Sequence, residues 1–160
     1  PPPGWAIAVV VFFVLAVGLL IKNLLNVHKE RKEAVKWYRK AAERDVDAQM
    51  HLATMYSTGK GIRRNYKESV KWYRKAAQQG HAESQQKLGL MYARGKGVTK
   101  SGSAAADWFY KAGLTHLRDG KKEDALRCVD EIERMIKDSK LEVPNRFLAE
   151  KLMQEIDKEK

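Results

Sequence analysis

One cysteine, Cys128, is the whole thiol content of this 160-residue chain. No intramolecular disulfide and no cysteine-based zinc site can form, so packing alone must hold the fold together. Cys128 stands amid Ala125, Val129 and Ile132 at a helical position, where a buried and inert thiol is expected. Histidine is scarce as well: His28, His51, His81 and His116 never fall at i, i+4 spacing with one another. His51 and His81 read as solvated or rim residues. No H-E-x-x-H, paired-carboxylate cleft or nucleophile motif is present either. The Gly59-Lys60-Gly61 and Gly95-Lys96-Gly97 turns lack the hydroxyl after the lysine and the preceding strand that a phosphate loop needs. These absences leave no catalytic residue, metal ligand or cofactor site to assign, and the chain reads as a non-enzyme.

Charge is missing altogether from Trp5 to Ile21, which gives 17 consecutive uncharged positions. As a helix rising about 1.5 Å per residue this run spans roughly 25 Å, the short end of a bilayer crossing. Trp5 supplies an interfacial ring, Phe12, Phe13 and Leu19 supply apolar bulk, and Lys22 can extend its ammonium outward at the far end. A cleaved secretory signal needs a basic start and a small-residue cleavage site, and neither PPPG nor KNLLNVHKERKEAVKWYRK provides them. Residues 1–27 are therefore expected to be a retained single-pass anchor. Lys22, Lys29, Arg31, Lys32, Lys36, Arg39 and Lys40 all follow the span and nothing basic precedes it, which places the body on the cytoplasmic side, as in a bacterial inner-membrane protein.

The charge that is present is unevenly spread. Residues 1–118 carry 21 basic and 8 acidic side chains, and residues 119–160 carry 10 and 12. A basic field favours acidic proteins, anionic lipid or nucleic acid and is silent on fold. Its densest part is GKGIRRNYKESVKWYRK, where Lys60, Arg63, Arg64, Lys67, Lys71, Arg74 and Lys75 face a single acid, Glu68. These seven are the candidate residues for binding a partner or an anionic leaflet. KWYRK occurs twice and resembles the aromatic-basic mixture of single-stranded nucleic-acid binders. Rings that recur at a repeat period are needed inside helix packing, however, so nucleic acid is the weaker reading.

What the chain has in abundance is repetition. AVKWYRKAA at residues 34–42 returns as SVKWYRKAA at 69–77 and more loosely as AADWFYKAG at 105–113, with Trp37, Trp72 and Trp108 spaced 35 and 36 apart. Between them AQMHLATMYSTGKGI at 48–62 matches SQQKLGLMYARGKGV at 84–98. Leu52 and Tyr56 share a helical face, as do Leu88 and Tyr92, while Ala53 and Gly89 leave room for a neighbouring helix. Val70, Tyr73 and Ala77 share a face of the second element, with Trp72 on the adjoining one. The repeat core is thus expected from Trp37, Leu52, Tyr56, Trp72, Tyr73, Leu88, Tyr92 and Trp108. The Gly-Lys-Gly turns end the first helix of each pair, and each pair exposes an apolar face that only the next can cover.

With these residues in view, the chain resembles the Sel-one-like subfamily of tetratricopeptide repeats. Residues 48–80 and 84–113 follow that family's A-x-x-x-L-G-x-x-Y-x-x-G-x-G-V and A-x-x-W-Y-x-K-A-A-x-x-G pattern, with a leading half-unit at 33–44. Ala53 departs from the usual Gly, Asp45 stands where Gly80 stands in the next copy, and Val46-Asp47 is one residue short. The resemblance implies an adaptor or assembly role and no chemistry.

From Ala106 onward the pattern also fits an ordinary tetratricopeptide unit. Its second helix, over residues 121–138, puts Leu126, Val129, Ile132, Met135 and Ile136 on one stripe. Past Pro144, NRFLAEKLMQEIDKEK gives an amphipathic helix with Leu148, Leu152 and Ile156 inward, a terminal cap or a docking helix. The expected architecture is all-α: an anchor over 1–27, a short α-solenoid over 28–138 and a capping helix within 139–160. The expected partner is protein, in a membrane complex.

Overall fold

The computed structural model describes residues 4–138 and 147–158, and every described element is a helix. In chain order these are α1 (Gly4–Ala41), α2 (Val46–Thr58), α3 (Tyr66–Gln78), α4 (Ala82–Arg94), α5 (Gly102–Arg118), α6 (Lys122–Lys137) and α7 (Leu148–Lys158). Pro144 falls outside the described residues. Four helices start on a side-chain cap that accepts from the amide three residues on. Asp45 caps α2, Asn65 caps α3, His81 caps α4 and Ser101 caps α5. His81 does this with Nδ1, 3.1 Å from the Ser84 amide, which fixes its proton on Nε2, 3.4 Å from Asp47 Oδ1. It is a cap at the rim, and His51 is an exposed ring beside Tyr38.

Successive helices run antiparallel. Gln49 near the start of α2 donates to the Ala42 carbonyl past the end of α1, while Tyr56 near the end of α2 accepts from Arg39 one turn back. The core is correspondingly a series of clusters. The first holds Val35, Ala42, Ala48, Leu52 and Tyr56. The second holds Ala53, Val70, Tyr73, Ala77, Leu88 and Met91. The third spans α5 to α7 through Phe109, Ile132 and Leu152. Small residues allow these approaches: a Cβ on Gly89 would lie 3.0 Å from the Phe109 ring, so α4 and α5 touch through that gap. Leu148, Ala149, Leu152 and Ile156 of α7 are buried over α5 and α6.

α1 is far longer than any other described helix, and only its last part matches the internal repeat. It continues without a break from the uncharged run into the helix that carries Trp37, so the residue 27/28 boundary drawn from sequence falls inside one helix. It is long and apolar enough to cross a membrane, and none of its apolar window is buried by the rest of the fold. Phe12 is 75% exposed and Phe13 68%. Leu19 and Lys22 are exposed too, while the side chain of Trp5 lies outside the described ones. Among its described side chains the helix is covered near its end, where Val35 and Tyr38, with Ala42 just beyond, meet α2.

The Gly-Lys-Gly turns are in the left-handed region, with Gly59 at φ 79° and Gly95 at φ 64°, and they cap α2 and α4 as their sequence requires. Gly97 has a second constraint, because a Cβ there would collide with the Tyr66 carbonyl. Gly120 shares the positive φ (71°) with open space around it. Gly97→Ala is expected to cost about 2 kcal/mol more than Gly120→Ala, which carries only the left-handed penalty of about 1 kcal/mol. Paired urea melts of the two variants check this.

Candidate functional site

The repeated tryptophans are the first place to look for a working surface, because their environments differ. Trp72 packs on both the first and the second cluster, and Trp108 packs on the second. Each is thus partly covered by the unit before its own. Lys75 lies 4.4 Å from the Trp72 ring centre and Lys111 lies 4.6 Å from that of Trp108, so each ring's outer face carries a cation. Trp37 is 74% exposed. Its assignment to the repeat core is therefore corrected: it belongs to the leading half-unit, and no earlier unit exists among the described residues to cover it. The remaining core assignments stand as buried or partly buried. Leu52 and Leu88 are fully enclosed, Tyr56 and Tyr73 are buried, and Tyr92 is half-buried.

Polar junctions recur alongside the rings. Gln49 donates to the Ala42 carbonyl at 3.0 Å and accepts from Gln79 at 2.9 Å. Gln85 repeats this 36 residues later, donating to the Ala77 carbonyl at 3.0 Å and accepting from Thr115 at 3.0 Å. Both glutamines are buried, so each closes the frayed end of one helix and ties in the next at no cost in unpaired groups. Arg39 to the Tyr56 hydroxyl and Arg74 to the Tyr92 hydroxyl, each 2.8 Å, form a second repeated pair. Sequence reasoning missed Gln49, Gln85, Arg39 and Arg74 as braces: it counted Arg39 among the basic residues after the uncharged run and Arg74 among the candidate binding cations. Their recurrence at the repeat offset was the available signal.

The seven candidate cations accordingly separate into two groups. On α3, Lys71 pairs with Glu68 at 2.6 Å, Arg74 is half-buried on Tyr92, and Lys75 sits on Trp72. Arg74 thus leaves the candidate patch, since its guanidinium is spent inside the fold. Lys60, Arg63, Arg64 and Lys67 are exposed around the α2–α3 loop. The last three line a groove of about 640 Å³ together with Tyr56, Tyr66 and Gly97. Two further cations join them from the next repeat. Lys96 lies 5.5 Å from the Tyr66 ring centre, with Arg64 at 5.4 Å from the same centre, and Lys100 is exposed on the same loop. Their distance in sequence hid this convergence.

A second concavity of about 470 Å³ lies between the starts of α4 and α6 and includes His81, Glu83, Lys87, His116, Asp119, Lys121 and Asp124 in its wall. The ring nitrogens of His116 are buried without a hydrogen-bond partner. Burial lowers its pKa below the ordinary 6.5, and the lysine at 121 adds to this, while Asp124, Asp119 and Glu83 oppose it. Nearby Cys128 accepts from Gln86 Nε2 at 3.2 Å, and burial pushes its thiol up to about 11, so it is no nucleophile at neutral pH. Among the described residues no group of three or more His, Cys, Asp or Glu is placed to hold a metal ion.

The repeat geometry matches known proteins. The Sel1 repeat family model fits residues 17–46, 46–81 and 82–114. The chain belongs to the Sel1 repeat family. The first Sel1 copy runs from residue 17 through the rest of α1 to the start of α2, and α1 continues straight where a regular copy would turn, so this copy contributes only its second helix to the stack. A Sel1 repeat protein from Oxalobacter formigenes superposes with a TM-score of 0.61 at 31% identity, over 80% of this chain and 50% of that one. c5321, a protective antigen of uropathogenic Escherichia coli strains with an SLR fold, gives 0.51 at 26% identity, over 80% and 34%. The chain thus spans about half or less of the length of these relatives. No curated protein matches it. Sel1 repeats generally mediate protein–protein interaction, and Sel1 scaffolds are typically non-enzymatic.

Two outcomes follow for the Sel1 stack. Trp72→Ala is expected to cost about 2–3 kcal/mol and Trp37→Ala less than about 0.5 kcal/mol in denaturant titrations, because only the first ring is covered. For His116 the folded state binds a proton more weakly than the unfolded chain. Stability is therefore full above the ordinary histidine pKa and falls as pH drops below it toward the folded value. Urea midpoints measured between about pH 7.5 and pH 5.5 should fall, and His116→Gln should flatten that slope.

Proposed function

We propose that this protein is a membrane-anchored interaction scaffold, an accessory or assembly subunit of a membrane complex. The observation that carries the reading is Trp37, an apolar ring 74% exposed at the position where its two repeat-mates are covered by a preceding unit. Its face of α1 is the open end of the stack, shaped to take a helix from another protein. Large aromatics of this kind dominate the energetics of such contacts. The uncharged run of α1 supports the anchor, and the basic residues that follow it support a cytoplasmic body. Confinement to the membrane plane raises the effective concentration of a weak binder toward membrane-resident partners. Apart from Trp37 the repeat rings are buried or partly buried, which speaks against base stacking as the main activity.

A photo-crosslinking side chain at position 37, activated in intact native membranes, is expected to attach the chain to a discrete protein. A crosslinker at exposed Gln78, on another helix, should give no such adduct. Solitary recovery of the chain from both experiments would count against the scaffold. Trp37→Ala should remove the co-purifying protein without loss of folding.

A further inference from the structure

The solenoid is electrically two-sided, and the direction of α1 says which side meets the bilayer. Because α2 runs antiparallel to α1, its end turns back toward the uncharged run. α4 keeps that direction, and the two following loops touch: Gly97 abuts the Tyr66 carbonyl, and Arg64 and Lys96 flank the Tyr66 ring. Loops 59–65 and 95–101 therefore share one edge, and they hold Lys60, Arg63, Arg64, Lys96 and Lys100 without one acid. Lys67 and Arg94 stand beside them. The opposite edge carries Glu43, Asp45 and Asp119 in its loops, with Asp47, Glu83, Glu123 and Asp124 in the first turns of α2, α4 and α6. Arg39 and Lys40 in the last turn of α1, Lys75 in the last turn of α3, and Arg44, Arg118, Lys121 and Lys122 balance them there, so that edge is close to neutral while the loop edge is basic.

The level of the basic edge can be read along α1. Tyr56, less than one turn from the end of α2, lies beside Arg39 and in one cluster with Val35, so the loop after Thr58 reaches the level of roughly the thirty-second residue. That is about eleven residues beyond Ile21, or about 16–17 Å of helix. A headgroup layer about 5–8 Å deep and a Debye length of about 8 Å together cover most of that gap. Extended lysine and arginine side chains narrow it further.

We infer that this loop edge is a bilayer-facing surface that seats anionic phospholipid headgroups, with the groove of Arg63, Arg64 and Lys67 as the phosphate seat. The inference rests on the anchored reading above and adds what that reading leaves open: which face of the repeat domain looks at the membrane and what it recognises there. The side-on exposure of Trp37 is left free for a protein.

The test uses the full chain with Thr99→Cys on the basic edge or Glu43→Cys on the opposite edge, each labelled with a fluorophore. Buried Cys128 remains unlabelled. In vesicles rich in phosphatidylglycerol that carry a quencher on their headgroups, the label at 99 should be strongly quenched and the label at 43 little affected. Lys60→Gln, Arg63→Gln and Lys96→Gln together should release it, lowering the docked-to-undocked ratio by about fivefold for each cation removed, and added salt should act the same way. Equal quenching in pure phosphatidylcholine would overturn recognition of anionic headgroups. An unquenched label at 99 on a chain that resists alkaline extraction would sink this inference while leaving the anchor intact. Release by alkaline carbonate would remove the anchor, and the inference with it. Crosslinks from position 99 that go to an acidic protein segment in native membranes, not to lipid, would assign the edge to a protein and end the proposal.

Discussion

A pair of short helices cannot bury the apolar faces it creates, and everything in this molecule follows from how the next pair solves that problem. Trp72 and Trp108 are each laid against the unit before, and the buried glutamines at 49 and 85 close the helix ends between units. The second arrangement matters as much as the first. A helix terminus leaves carbonyls unpaired, and enclosing them between stacked units would be expensive without a donor of the right length. The amide of glutamine gives to one helix and takes from another, so register and polarity are settled by one side chain.

This dependence on a neighbour makes the ends of the stack different from its middle. At the C-terminal end α7 supplies the missing cover with Leu148, Leu152 and Ile156. At the other end the cover is absent from the described residues, and Trp37 is the consequence. The same side chain that would be a structural residue one repeat later becomes a surface feature here. A repeat motif therefore specifies what a residue can pack against, and position in the array decides whether it does.

The fold was largely legible in the residues. The spacing of the tryptophans, the paired Gly-Lys-Gly turns and the faces of Leu52, Tyr56, Leu88 and Tyr92 follow from helical geometry alone, and the helices lie where those signals put them. The sites were less legible, for a physical reason. Whether Arg74 is a surface cation or a brace depends on the Tyr92 hydroxyl meeting it across two helices, and local pattern does not encode that meeting. Lys96 and Lys100 join Arg63 and Arg64 only because antiparallel helices bring alternate loops together. A tally of charge along the chain divides it into a basic front and a balanced tail, whereas the molecule is divided across its two edges.

The unbroken course of α1 gives the whole body a fixed heading. A flexible linker would let the solenoid tumble above its tether, but a continuous helix acts as a stiff mast whose rotation is transmitted in full to whatever is mounted on it. One residue more or less between Lys22 and Glu33 would swing the stack by about 100° around the mast and change its height by about 1.5 Å. In an anchored molecule the length of that stretch is thus an angular setting, and the side that the repeat array shows to its surroundings is decided by residues that touch none of it.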